Sequence, residues 1–134
     1  MQVRDVLKRL EQDGWVLDRT RGSHRQLTHP TKPGLVTVSG HPSDECASKD
    51  AKEYIEAGWI GDRMTQYAVI FERGARNWSA YVPDLPGCVA TGKTRRATER
   101  AIREAIAFHL EGLRLKRLPI PPSVSSAANL RVMA

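Results

Sequence analysis

The apolar positions change period several times along the chain, and each change marks an element. Val3, Val6, Leu7 and Leu10 fall at i, i+3, i+4 and i+7, the single stripe of an amphipathic helix, and Gly14 follows where such a helix stops. Trp15-Val16-Leu17 is a short apolar run that predicts a strand ending near Arg19. Thr20-Arg21-Gly22-Ser23 predicts a turn, His24 to Thr28 a second strand and Leu35 to Val38 a third. Between the last two, His29-Pro30-Thr31-Lys32-Pro33-Gly34 carries two prolines that remove donors and restrict their neighbours, so it reads as a loop. A second, acidic helix is expected from Ser48 to Ala57, stopping at Gly58. The pattern then begins again near Met64. Tyr67, Val69 and Phe71 alternate as a strand, Gly74 to Asn77 turn it, and Trp78 to Val82 return. Pro83 to Gly87 interrupt, and Cys88 to Thr91 make a third strand. Thr94 is placed to cap a long helix from Arg95 to Arg117 whose core stripe is Ile102, Ala105, Ile106, Leu110 and Leu113. Leu118-Pro119-Ile120-Pro121-Pro122 ends it, and Asn129 to Met133 is expected to form a last edge strand.

Composition narrows the class. The chain has 134 residues, 40% hydrophobic and 27% charged, which is globular and long enough for one ordinary domain or two very small ones. No apolar run reaches the roughly 18 residues of a membrane span, and Met1 to Asp5 do not open into an apolar leader. Two cysteines, Cys46 and Cys88, make neither a disulfide framework nor a metal-ligand spacing, so a reduced, cytoplasmic protein is expected. Four histidines share no face with each other or with a carboxylate cluster, so no metal and no cofactor is expected. The net charge of +6 is unevenly spread: +3 over residues 1–43, −4 over residues 44–62 and +6 over residues 64–134. A basic bias of this size favours an anionic partner but is also an ordinary solubility charge.

One candidate for chemistry lies on the second strand. Alternation puts His24 on a face with Gln26 and Thr28, and turns Leu27 and Arg25 the other way. If helices cover the Leu27 face, His24 lies on the open one. A histidine can accept a proton near neutral pH, and a positioned base speeds proton removal by about 10²–10⁴-fold. On spacing alone a solvated surface histidine is the simpler reading. Gly22 and Ser23 offer backbone N–H groups and a hydroxyl suited to a phosphate oxygen, although Gly-Ser is also ordinary turn chemistry. Arg19, Arg21, Arg25 and Lys32 can hold a phosphate backbone by charge. His29 and His41, each before a proline, and His109 on the long helix read as structural, and Trp15, Trp59 and Trp78 as core anchors.

These segments carry a resemblance. Residues 1–43 resemble a HicA-type mRNA interferase toxin through Asp13-Gly14-Trp15, Arg21-Gly22-Ser23-His24, His29-Pro30-Thr31-Lys32-Pro33-Gly34 and Gly40-His41-Pro42-Ser43. Residues 64–122 resemble the N-terminal domain of a HicB-type antitoxin. The carriers there are Tyr67 to Glu72, Trp78 to Val82, Pro83-Asp84-Leu85-Pro86-Gly87-Cys88, the helix through Arg103-Glu104-Ala105-Ile106, and Pro119-Ile120-Pro121. The resemblance implies an α+β architecture: a dsRBD-like α-β-β-β-α toxin unit over residues 1–60, then a partial RNase-H-like β-β-β-α-β antitoxin unit over residues 61–134. It implies that His24 is the catalytic base of a metal-independent endoribonuclease acting on mRNA. Arg19, Arg21, Gly22, Ser23, Arg25 and Lys32 would bind the RNA, and the attached antitoxin unit would hold the enzyme inactive.

The chain departs from that pattern after the third strand. The stretch from Asp44 to Trp59 is acidic and lacks the Gly-Thr step of such toxins. The alternative reading is therefore a non-catalytic RNA-binding or regulatory protein with a degenerate toxin unit. Gly58 to Thr65 is a short connection, so toxin–antitoxin contact is expected either within one chain or exchanged between chains, in a homodimer or higher homo-oligomer. No C-terminal DNA-binding domain, and so no DNA binding, is expected from this chain.

Overall fold

The computed structural model describes residues 1–46 and 66–134. The expected acidic helix at Ser48 to Ala57, and Trp59, lie outside the described residues. Helix α1, Val3–Gln12, forms as the stripe requires, buries Val3 and Leu10, and ends in a turn closed by Gly14 at φ +99. Its start is tied to the segment after the third strand: Val3 N–H donates to the Asp44 carbonyl at 2.8 Å and Arg4 N–H to that of Pro42 at 2.9 Å. Strand β1, Val16–Arg21, runs two residues past the expected end because Gly22, at φ +58, and Ser23 close a two-residue hairpin that pairs Arg21 with His24. Strands β2, His24–Thr28, and β3, Val36–Ser39, complete an antiparallel meander.

The second half supplies β4, Ile70–Arg73, β5, Trp78–Tyr81, β6, Cys88–Gly92, and helix α2, Arg95–Leu115. Strand β4 starts at Ile70 rather than Tyr67. Its ladder partner β5 ends at Tyr81, and continuing that register would set Ala68 opposite Pro83, which has no N–H to give, so the ladder does not extend back to Tyr67. Thr94 caps α2 as expected, its Oγ1 accepting from Ala97 N–H at 3.0 Å. The last element of the expected β-β-β-α-β order is a correction: Asn129 to Met133 is not a strand. Alternating Leu130 and Val132 are not sufficient without a ladder, and both are exposed. The segment before them is held differently, with Tyr67 Oη donating to the Pro121 carbonyl and Asp84 accepting from Val124 N–H, Ser125 N–H and Ser125 Oγ.

The two halves form a single sheet. Its order is β1-β2-β3-β6-β5-β4, and every pairing is antiparallel except β3 with β6. That parallel seam pairs Thr37 with Cys88, Val38 with Val89 and Ser39 with Ala90, and Thr37 N–H donates to the Gly87 carbonyl. One face of the strands of the first half meets α1 through a core of Val3, Leu10, Trp15, Leu27, Val36 and Val38. On the other face α2 packs over Ala80, Val82, Leu85, Cys88 and Ala90 through Ile102 and Ala105. The same helix continues past the seam onto β3 and β2, which places it over His24.

Candidate active site

His24 is on the face the alternation gives, opposite Leu27, but that face is covered. The residue is 7% exposed, which corrects the expectation that it lies open. The reason is the far half of the chain. His24 Nδ1 meets the Ser39 hydroxyl on the neighbouring strand, and His24 Nε2 meets Glu104 Oε2 on α2 at 3.2 Å. Since a carboxylate only accepts, Nε2 carries a proton toward Glu104. Phe108, one turn further along α2, lies beside the imidazole with ring centroids 6.4 Å apart.

A row of buried polar contacts extends from this pair along the helix. Gln26, fully buried, donates through Nε2 to Thr37 Oγ1 at 3.3 Å and to the Phe108 carbonyl at 3.0 Å. Thr37 Oγ1 in turn meets His109 Nδ1 at 2.7 Å. Burial pushes the His109 imidazole down to about 4, so it is neutral where its Nδ1 shares a proton with the Thr37 hydroxyl. Gly112 allows this approach: a Cβ there would run into Gln26 Oε1 and come within 2.7 Å of Leu35 Cδ1. At the outer end Glu111 receives Arg21 Nη1 at 3.1 Å and Arg19 Nη2 at 3.5 Å. Both guanidinium groups also stack over the Phe108 ring, at 4.8 and 4.6 Å. Lys116 then reaches Asp18 at 3.1 Å.

The other expected RNA contacts do not converge on His24. Gly22 and Ser23 form an exposed turn at the rim of the covered face. Arg25, on the opposite face, gives both Nη atoms to the Gly40 carbonyl at 3.2 Å, and Lys32 pairs with Asp13 Oδ2 at 2.6 Å. His29 is structural as expected. Its Nδ1 accepts from Thr31 N–H and Lys32 N–H, which leaves Nε2–H to donate to the Asp13 carbonyl, while the ring stands edge-on to buried Trp15. His41 Nδ1 accepts from Ser43 N–H. Among the described residues no group of three or more His, Cys, Asp or Glu side chains is arranged to hold a metal. The same residues contain no helix long and apolar enough to cross a membrane.

Residue-by-residue reading missed Ser39, Glu104, Phe108 and Glu111 as parts of this site. Glu104, Phe108 and Glu111 do stand at i, i+4 and i+7, one stripe of α2 beside its core stripe. That spacing was the available signal, but an acidic–aromatic stripe on an exposed-looking helix names no partner.

Comparison with known proteins bears on both halves. The family model described as the HicA toxin of bacterial toxin-antitoxin matches residues 3–59, and that described as the HicB_like antitoxin of a bacterial toxin-antitoxin system matches residues 67–132. A 14.9 kDa uncharacterized protein from the rep-hol intergenic region of Haemophilus phage HP1 (strain HP1c1) is 36% identical over 47 residues, 35% of this chain and 35% of its own length. The match thus spans about a third of that curated relative. No solved structure matches the chain significantly. With matched segments in the order toxin then antitoxin, the chain joins a HicA toxin-family segment, residues 3–59, to a HicB-like antitoxin-family segment, residues 67–132, in one polypeptide.

Proposed function

We propose that the toxin half, residues 1–60, is a metal-independent endoribonuclease with His24 as its general base, and that α2 of the antitoxin half, residues 61–134, holds it inactive. The observation that carries this reading is the contact between His24 Nε2 and Glu104 Oε2. In the uncovered enzyme that nitrogen takes the proton from an RNA 2′-hydroxyl. The 2′-oxygen then bonds to the adjacent phosphorus, the bond from phosphorus to the 5′-oxygen breaks, and the leaving oxygen takes up a proton. The product is a 2′,3′-cyclic phosphate, with no metal in the step. Ser39 fixes the ring by its contact at Nδ1, the usual way one imidazole nitrogen is held so that the other can work.

Covered by α2, the base is disabled twice. Its working nitrogen is protonated toward Glu104, and the carboxylate takes up the space an RNA phosphate would need. Glu111 acts likewise on Arg19 and Arg21, the two expected RNA contacts nearest the site. Both halves of each contact belong to one chain, so inhibition needs no second copy, although an exchanged dimer would preserve the same contacts. Fusion favours the closed state by keeping inhibitor at a high effective concentration, up to about millimolar for short flexible linkers.

Expression in bacterial cells tests the reading. The full chain should be harmless, and Glu104→Lys/Glu111→Lys, which sets cations against His24, Arg19 and Arg21, should arrest growth. Adding His24→Ala should restore it. A harmless, folded Glu104→Lys/Glu111→Lys chain would favour the regulatory, non-catalytic alternative.

A further inference from the structure

One end of the antitoxin half gathers cations that the toxin contact leaves unused. The sheet register places Arg73, Trp78 and Gly92 in one lateral row across β4, β5 and β6. Gly92 lies directly under the first turn of α2: a Cβ there would come within 2.7 Å of Thr98 Oγ1 and 2.8 Å of Thr98 N. The row, the turn carrying Arg76 between Arg73 and Trp78, and the start of α2 therefore form one corner. Around it stand Arg73, Arg76 and Lys93 at the end of the sheet and, one helical turn apart on the outer face of α2, Arg96 and Arg100, all exposed. None of these five has an ion pair among the described residues. Nearby, Arg95 is occupied over the Phe71 ring at 4.4 Å and Arg103 pairs with Glu99 at 3.6 Å. The first turn of α2 contains no acidic residue, although acids there would be favoured by the positive end of the helix. The corner thus concentrates positive charge at a place where it opposes the fold.

We propose that this corner is a docking surface for the phosphodiester backbone of a nucleic acid, used by the closed, full-length chain. Four of the five cations are arginine, whose planar fork matches phosphate oxygens two at a time. A lipid surface is the poorer fit, because none of the exposed large apolar side chains among the described residues lies between residues 66 and 114. The surface is separate from the His24 site and does not depend on catalysis. Arg19 and Arg21 are taken by Glu111 and Phe108, so nucleic acid bound by the closed chain would be held by the antitoxin half.

Fluorescence anisotropy on the intact chain tests this, with a labelled single-stranded RNA and a labelled DNA duplex as the two probes. Five phosphate contacts predict an affinity that falls about 10²–10³-fold between about 50 and 200 mM salt. The variant Arg73→Gln/Arg76→Gln/Lys93→Gln/Arg96→Gln/Arg100→Gln should bind at least about tenfold more weakly at the lower salt and lose most of the salt dependence. Its circular dichroism and melting should stay as in the parent, and the two-site variants Arg76→Gln/Lys93→Gln and Arg96→Gln/Arg100→Gln should fall between. The stronger probe identifies the polymer. Absence of binding to both probes at about 50 mM salt would overturn the proposal. So would an unchanged salt slope in the five-site variant, or displacement by polyglutamate as effective as by nucleic acid.

Discussion

On the α1 side of β2 and β3 the sheet presents Leu27, Val36 and Val38; on the α2 side the same strands present His24, Gln26, Thr37 and Ser39. All seven are buried, but for different reasons. The α1 side is apolar, and removing it from water is favourable in itself. Covering the α2 side gains little from area, and each polar group there must find a partner or cost about 1–3 kcal/mol. Most partners come from α2 and its neighbours: Glu104 for His24, the Phe108 carbonyl for Gln26, His109 for Thr37. The match is incomplete, since Gln26 Oε1 and Arg19 Nη1 are buried without one. The first face therefore reads as core. The second reads as a surface shaped for a polar ligand, which the chain's own helix occupies.

Substitutions on the two faces should separate these roles. The largest effect is expected on the apolar side: Leu27→Ala should cost about 2–5 kcal/mol in chemical denaturation. On the polar side the corresponding effect depends on pH. His109 takes its ordinary value when unfolded and about 4 when folded, so the unfolded chain binds the proton more readily as pH falls below 6.5. Its contribution is complete above that pH and is lost between 6.5 and about 4, to the extent of about 3 kcal/mol. Urea titrations across that range should show the loss, and His109→Asn, which keeps an acceptor toward Thr37, should flatten it. A flat profile in the parent would mean that the helix does not close over β3.

Smaller effects test the fit of the helix. Gly112→Val should cost about 1–3 kcal/mol by forcing α2 from Gln26 and Leu35, and hydrogen exchange should rise in β2 as it does so. Glu111→Gln should change stability by less than about 1 kcal/mol, because its pairs with Arg19 and Arg21 are partly exposed. It should nevertheless increase binding of RNA to those arginines, measured by anisotropy. A seam that ignored both substitutions would have its closure set elsewhere.

Much of this contrast was legible in the chain, and the limits were physical. Local periodicity placed both described helices and all six strands within a few residues, because caps, prolines and glycines act where they stand. Alternation also set His24 and Leu27 on opposite faces. What no local signal could supply was the pairing of Thr37 to Ser39 with Cys88 to Ala90, residues far apart in sequence that meet only because both halves complete one sheet. The cover over His24 follows from that pairing. So does the use of Arg19 and Arg21 against Glu111, which charge counting could not distinguish from solvated arginines. At the C-terminus the alternating Leu130 and Val132 misled, since a pattern without a partner makes no strand.

The polar face is proposed as an active site closed by its own chain. Its most direct test is RNA cleavage in EDTA by purified full-length protein, by Glu104→Lys/Glu111→Lys and by that variant with His24→Ala, with hydrogen exchange in β2 confirming which chains have opened. The expected result is a silent parent, cleavage by the opened chain despite chelation, and silence again without His24. An opened, folded chain that leaves RNA intact, or one that cuts as well without His24, would contradict it.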